Sequence, residues 1–218
     1  MLFFRKNVIA LTGLFLCLFL LVHFAANFIL LLPESIARGM YNSYSTLLRN
    51  NPFIKIISIV LMASIVFHVL YAWIVTRHNK AAKPQAYVVN SSEANSTWTS
   101  RNMGLLGLLL LIFLVIHLAH FWARIKLGIG PTVGLDAKGH IDVYDVAKSL
   151  FQNIYMVGFY VVLTIPLGLH LYHGLKSAFM TLGFYHQRGL RLLAHISLGY
   201  AVVISVGFGV IPIVVYLR

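Results

Sequence analysis

The chain has 218 residues, of which 60% are hydrophobic and only 10% are charged. This composition excludes a water-soluble domain, because much of any folded surface stays in contact with water and so much apolar surface does not fit inside a chain of this length. The formal net charge of +12 comes from basic residues outside the apolar segments, without interleaved aromatics, so it indicates membrane surfaces and anionic lipid headgroups rather than nucleic acid.

Five apolar segments follow one another along the chain, each close to the ~20 residues that cross a bilayer as an α-helix. Only a helix satisfies its own backbone hydrogen bonds within such a segment in hydrocarbon. The first segment is longer than the core of a signal peptide, so we expect it to be retained as a span. The sequence therefore predicts an all-α integral membrane bundle forming a single domain over 1–218. Its predicted spans are about 8–32, 53–76, 103–123, 152–177 and 192–217.

Two absences in the sequence narrow its chemistry. Cys17 is the only cysteine, so any iron–sulfur centre must belong to a partner. Every acidic residue lies in a predicted connection between spans, which leaves no intramembrane carboxylate for a proton relay or an ion-coupled transport site. This pattern favours electron transfer over transport. The acidic residues are Glu34, Glu93, Asp136, Asp142 and Asp145.

The basic residues predict the orientation of the bundle by a narrow margin. With the N-terminus inside, nine Lys and Arg residues fall on the inner side and eight on the outer side. The positive-inside rule therefore favours a cytoplasmic N-terminus. With five spans, the C-terminus then lies at the outer face.

Six of the ten histidines fall inside predicted spans. An ionisable side chain at membrane depth is a functional candidate and usually faces the bundle interior. The alternative is a neutral histidine that hydrogen-bonds across a helix interface. These histidines are His23, His68, His117, His120, His170 and His173.

Depth in the membrane groups four of these histidines into pairs. Because successive spans run in opposite directions, His23 and His117 lie about 5–6 Å toward the outside of the midplane at 1.5 Å per residue. His68 and His170 lie about 5–7 Å toward the inside by the same calculation. One metal ion cannot bridge the two levels, since a metal–imidazole bond is only about 2 Å long. Two haems can, because each takes an axial imidazole on both faces.

His120 and His173 are second-choice ligands. Each follows a first-choice ligand by three residues and lies about 10–11 Å from the midplane, where it could bond water, a haem propionate or a carbonyl. Glycines near the four first-choice ligands would let a flat macrocycle approach a helix, or would serve close helix packing. These glycines are Gly13, Gly104, Gly107, Gly168 and Gly174.

Four sequence stretches resemble one known family. They are "FLLVHFAANF" around His23, "FHVLYAWIV" around His68, "FLVIHLAHFW" around His117 and "LHLYHGLKS" around His170. In order and number they resemble the single-chain, five-helix, two-haem cytochrome b anchor of succinate:quinone oxidoreductases, the succinate dehydrogenases and fumarate reductases. The resemblance covers essentially the whole chain. His170 and Gly174 match the family's His-x-x-x-Gly pattern on the fourth helix.

The resemblance implies two haem b groups with assigned ligands. His68 and His170 would be the axial ligands of a proximal haem near the cytoplasmic partners, and His23 and His117 those of a distal haem near the outer face. Some family members carry an acidic residue two positions before the fourth-helix ligand, associated with proton passage. Gly168 stands there in this sequence, which argues against that proton route here.

The resemblance also implies partners and a location. The chain would be a non-catalytic electron-transfer subunit in the bacterial cytoplasmic membrane, and a flavoprotein partner would carry the succinate and fumarate chemistry. An iron–sulfur partner would exchange electrons with it, and the quinone would be menaquinone. Segment 38–52 could shape a quinone site, or its tyrosines could form an interfacial belt. Basic inner residues could dock the partners, or serve topology alone: Lys80, Lys83, Arg188 and Arg191.

Two alternatives share the same sequence features. The chain could be the cytochrome b anchor of another respiratory dehydrogenase, of the hydrogenase or nitrate reductase type. It could also be a haem-free transporter or assembly factor in which the histidines only pack helices.

Overall fold

A computed structural model describes residues 2–81, 96–184 and 186–218, with the backbone alone at 187 and 188. Five of its helices are long and apolar enough to cross a membrane, and the described residues contain no β-strand, so the predicted all-α bundle with five spans is confirmed at this level. The spanning segments are Leu2–Leu31, Pro52–Ala81, Met103–Leu127, Ile154–Thr181 and Gly189–Tyr216.

The helices are labelled in chain order. Two of the spans contain a change of helix type: α1 continues as a 3₁₀ turn over Phe28–Leu31, and α4 continues through a π turn over Ala119–Ala123 to Leu127. A single helical turn, Trp98–Arg101, precedes α4. The labelled helices are α1 (Leu2–Asn27), α2 (Glu34–Asn50), α3 (Pro52–Ala81), α4 (Met103–Leu118), α5 (Val143–Phe151), α6 (Ile154–Thr181) and α7 (Gln187–Tyr216).

The outer faces of the spans are apolar and exposed, as lipid contact requires. Ile59 on α3 is 71% exposed and Ile165 on α6 is 65% exposed. In water such side chains would cost free energy, whereas lipid chains solvate them as well as a protein core does. These exposed apolar faces are the surfaces that the spans would present to lipid.

Helices α6 and α7 pack closely against each other in the bundle. Leu171, Ala201 and Ile204 make a buried cluster between them. An added Cβ on Gly168 would lie 2.9 Å from Ser205 Oγ, so the glycine allows the two helices to approach. The hydroxyl of Tyr200 donates a hydrogen bond to the Cys17 carbonyl at 2.6 Å, which ties α7 to α1.

The connection between the first two predicted spans, residues 33–52, is helical over most of its length. Helix α2 has an acidic residue in its first turn and a basic residue in its last turn, both favourable to the helix dipole. Its residue Ala37 is fully buried against a cluster that includes Leu30, Tyr144 and Phe151. Helix α5 contributes the other side of this contact. Together α2 and α5 cover one end of the bundle, which we call the α2–α5 end.

Polar side chains lock α2 onto α5. Arg38 forms ion pairs with Asp142 and, at 3.1 Å, with Glu34, while Lys148 reaches Glu34 at 2.5 Å. These hydrogen bonds, first that of Lys148 and then that of Arg38, hold the pKa of Glu34 below its usual range. The buried amide of Asn42 donates to Asp142 at 2.9 Å. Four of the five acids are thus described and lie outside the spans, and Glu93 lies outside the described residues.

Candidate functional site

The structure brings four of the intramembrane histidines together as two pairs. The ring centroids of His23 on α1 and His117 on α4 are 6.0 Å apart, with ring planes at 87°. The centroids of His68 on α3 and His170 on α6 are 6.4 Å apart, with planes at 67°. We call these the α1–α4 pair and the α3–α6 pair. They are the two combinations that the depth calculation groups together.

The separation within each pair fits an iron held between two imidazoles. With iron–nitrogen bonds of about 2 Å and ring centres about 1.1 Å from each nitrogen, opposed ligands have centroids about 6.3 Å apart. The observed values of 6.0 and 6.4 Å lie within a few tenths of an ångström of that distance. Rotation about an iron–nitrogen bond is unhindered by the bond itself, so either interplanar angle is compatible with such a site.

The same distances also fit edge-to-face packing of aromatic rings, so the hydrogen bonding of the ring nitrogens is the more decisive observation. The Nδ1 atoms of His117 and His170 are buried and have no hydrogen-bond partner among the described residues. A histidine that serves only to join two helices would bond across the interface, because a buried unpaired polar atom costs about 1–3 kcal/mol. Neither of these two Nδ1 atoms therefore makes a hydrogen bond that joins two helices.

The other two rings have polar neighbours at Nδ1. Thr12 Oγ1 lies 3.2 Å from His68 Nδ1. At His23, the Asn27 amide nitrogen lies 3.4 Å from Nδ1 and also donates to the His23 carbonyl at 2.7 Å. Tyr41 on α2 donates to the Asn27 side-chain oxygen at 3.0 Å. The α1–α4 pair is therefore linked to the α2–α5 end.

Aromatic rings surround the α1–α4 pair. Phe19 stacks on His23 at 5.4 Å and Phe208 approaches it at 5.7 Å. His117 has Phe113 at 5.6 Å and Phe121 at 5.0 Å. These large apolar side chains give the two rings a low dielectric environment with few polar neighbours.

Glycines flank the α3–α6 pair. A Cβ on Gly13 would lie 3.3 Å from His68 Cε1, and one on Gly107 would lie 3.7 Å from His170 Cε1. Beside Gly174 nothing lies within 4 Å. The other two predicted glycines serve helix packing instead, since Gly104 faces Thr76 and Gly168 faces Ser205. An acidic side chain in place of Gly168 would meet α7 rather than either histidine pair.

The second-choice histidines occupy different surroundings. His120 lies within the π turn that follows His117, a distortion often found at functional sites. Its Nδ1 is 3.0 Å from Tyr160 Oη and its ring stacks on Tyr160, not on a histidine of either pair. Tyr160 also packs against His117 at 6.1 Å, so His120 reaches the α1–α4 pair only indirectly. His173 is partly buried, one turn beyond His170.

The remaining histidines lie outside the two pairs. His78, His186 and His195 are exposed, and His140 lies 3.6 Å from Asp136 at the α2–α5 end. Of the basic residues expected to dock partners, Lys80 and Arg191 are exposed. Lys83 and the side chain of Arg188 lie outside the described residues.

The donor set restricts the kind of metal site that is possible. Within the part of the chain that the structure describes, no group of three or more His, Cys, Asp or Glu side chains could hold a metal ion. A metal bound by a histidine pair would need further ligands, and a porphyrin supplies four nitrogens.

No protein-family profile, curated protein or solved structure matches this chain.

Proposed function

We propose that this chain is the di-haem cytochrome b membrane anchor of a succinate dehydrogenase or fumarate reductase. It would pass electrons between an iron–sulfur subunit and a membrane quinone. The resemblance of its motifs implies that this quinone is menaquinone. The observation that carries the proposal is the assembly of four intramembrane histidines into two pairs at 6.0 and 6.4 Å. Both separations suit axial ligation of a haem iron, and neither pair has enough ligands to hold a bare metal ion.

Each histidine pair would hold one haem b. His68 and His170 would be the axial ligands of the proximal haem, and His23 and His117 those of the distal haem. When bound, haem b supplies one-electron redox chemistry between ferric and ferrous iron. The residues of this chain contribute ligation, spacing and exclusion of water, and none of them is assigned a catalytic role.

The α2–α5 end would form the outer cap of the distal site. Helix α2 contributes Tyr41, whose hydroxyl contacts Asn27 beside His23. Burial, followed by the proximity of Tyr44, raises the pKa of Tyr41 to about 12. The single hydroxyl proton of Tyr41 is used in its hydrogen bond to Asn27, so Tyr41 contacts the distal site through Asn27. The quinone site near α2, within the predicted segment 38–52, is therefore proposed from the sequence alone.

The opposite end of the bundle suits the soluble partners. Exposed basic residues there include Lys80 near the end of α3 and Arg191 near the start of α7. With the N-terminus in the cytoplasm of a bacterium, this end faces the cytoplasm. The flavoprotein and iron–sulfur subunits would bind here, close to the proximal haem.

The test is the haem content of the chain purified from membranes. A pyridine haemochrome assay combined with a reduced-minus-oxidised spectrum should give two b-type haems per chain. A chain that binds no haem when haem synthesis is sufficient would refute the proposal and favour structural histidines. Subunits that co-purify identify the dehydrogenase: flavoprotein and iron–sulfur partners with succinate dehydrogenase activity are expected, and hydrogenase or nitrate reductase partners would replace that assignment.

A further inference from the structure

Two groups on α1 make polar contacts with the His68 ring of the α3–α6 pair, the Thr12 hydroxyl and the Ile9 carbonyl. Thr12 Oγ1 lies 2.6 Å from the Val8 carbonyl oxygen, 3.2 Å from the Ile9 carbonyl oxygen and 3.2 Å from His68 Nδ1. A carbonyl oxygen accepts hydrogen bonds and cannot donate them. The 2.6 Å contact therefore requires the single hydroxyl proton of Thr12 to point at Val8.

With that proton committed, the Thr12 oxygen can only accept from the histidine. The hydrogen bond at 3.2 Å then requires the proton of a neutral His68 to be on Nδ1. The opposite direction, from the hydroxyl to Nδ1, would give up the shorter hydrogen bond to Val8. Nε2 is consequently left with a free lone pair, as a metal ligand requires.

We propose that Thr12 is a positioning residue that selects the iron-binding tautomer of His68 and tunes the proximal haem. The inference rests on the proposed haem function. Second-shell hydrogen bonds to a ligating histidine fix the ring orientation and raise the basicity of the ligand. A more basic imidazole stabilises ferric over ferrous iron, so Thr12 lowers the midpoint potential of the haem that His68 binds.

The neighbouring residue adds a second constraint on the same ring. Gly13 has no side chain, and a Cβ there would lie 3.3 Å from His68 Cε1. The backbone of α1 therefore lies close to one edge of the imidazole, while the Thr12 hydroxyl contacts its Nδ1 atom. Both contacts come from consecutive residues, so the ring is held in position and in protonation state by one turn of α1.

The other three paired histidines do not have this arrangement. His117 and His170 have no hydrogen-bond partner at Nδ1 among the described residues. The polar contact of His23 Nδ1 is with the Asn27 amide nitrogen, a donor that also bonds the His23 carbonyl. A substitution at Thr12 should therefore affect one haem and leave the other unchanged, which makes the distal haem an internal reference.

The experiment compares Thr12→Val, which removes the hydroxyl while keeping the side-chain shape, with Thr12→Ser, which keeps the hydroxyl. The intact complex is titrated potentiometrically, with the two haems followed by their α-band absorption and low-spin ferric EPR signals. We expect Thr12→Val to raise the proximal midpoint alone. A tenfold loss of ferric over ferrous preference corresponds to 59 mV for one electron. Thr12→Ser should retain the wild-type potential.

The matched control is Thr164→Val on α6. Thr164 is also a partly buried threonine of a spanning helix, and its hydroxyl donates to the Val161 carbonyl of its own helix at 2.7 Å. It should leave both potentials unchanged. If Thr12→Val fails to accumulate, Thr12→Ala removes the same hydroxyl with less bulk and should give the same upward shift.

Three results would overturn the inference. These are unchanged potentials in Thr12→Val, an equal shift of both haems, or a Thr12→Ser variant that behaves like Thr12→Val. A wild-type chain with two haems and any of these results would contradict the role of Thr12 alone. A wild-type chain without haem would instead refute the proposed function, so the two failures are distinguishable.

Discussion

The α1–α4 pair and the α3–α6 pair have nearly the same ring separation, 6.0 and 6.4 Å, but they are held by different means. Large aromatic rings support the first pair. The second pair is supported by the Thr12 hydroxyl, and Gly13 and Gly107 leave room for its rings. The first site should therefore respond most to loss of volume, and the second to gain of volume or loss of one hydrogen bond.

This difference follows from how each interaction depends on geometry. Each aromatic contact contributes about 0.5–1.5 kcal/mol beyond its buried area and tolerates a range of angles, so several rings share the support of His23 and His117. A single hydrogen bond depends more strongly on direction, and a contact at van der Waals distance tolerates little added volume. The α3–α6 pair thus depends on fewer residues, each of larger individual effect.

The largest expected effect comes from removing the ligands themselves. Either His68→Ala or His170→Ala should remove the proximal haem and retain the distal one, because each site loses one of its two iron bonds. His23→Ala and His117→Ala should do the reverse. Haemochrome quantification with EPR of the remaining haem measures this. The control is exposed His195→Ala, which should retain both haems, and four variants with two normal haems would disprove the pairing.

A side chain in place of Gly13 should be the next most damaging change. Gly13→Leu would place a branched side chain where a Cβ alone already lies 3.3 Å from His68 Cε1, so we expect the ring to be displaced and the proximal haem largely lost. Gly13→Ala should have a smaller effect. Gly199→Leu on α7 is the matched control, since nothing lies within 4 Å of its added Cβ. Full retention of the proximal haem in Gly13→Leu would contradict the close approach of α1.

Removing one aromatic ring should have an intermediate effect on the site of the α1–α4 pair. Phe208→Ala deletes a ring that contacts both His23 and Phe24. Replacing a fully buried phenylalanine by alanine lowers the free energy of unfolding by about 3–5 kcal/mol. The partial exposure of Phe208 makes the expected loss smaller. We expect a broadened or shifted distal α-band with an unchanged proximal band, measured by low-temperature difference spectroscopy. A shift confined to the proximal band would reverse the proposed comparison.

The smallest expected effect is that of acid on the α2–α5 end. The folded protein lowers the pKa of Glu34, so this carboxylate stabilises the fold above its unfolded pKa and the contribution is lost as the pH falls through the lowered value. The protection factors of amides in α2 and α5, which correct for the slower intrinsic exchange in acid, should therefore fall below about pH 4 before those around the α3–α6 pair. Glu34→Gln should bring part of that loss of protection to neutral pH, and a loss confined to α3 and α6 would contradict it.

Several features of the site and the fold had weak sequence signals. Helix α2 has apolar residues such as Ile36 and Met40 at helical spacing, but its mixed composition resembles a polar connection. Thr12 and His68 lie 56 positions apart, and neither the residue type nor its neighbours indicates the contact. Likewise, the helical spacing of His120 after His117 does not reveal that the π turn directs His120 to Tyr160. Such contacts depend on the rotation of one helix against another.

The sequence alone determined the number of spans, and it predicts the depth of each histidine. Apolar length decides whether a helix crosses the membrane, and the rise of 1.5 Å per residue converts position into depth. What only the tertiary structure decided is the direction in which each side chain points around its helix axis. That direction depends on packing between helices, where Gly13 admits the His68 ring and Gly168 admits Ser205. The depth of a side chain depends on its position along one helix, whereas the direction in which it points depends on the packing of several helices.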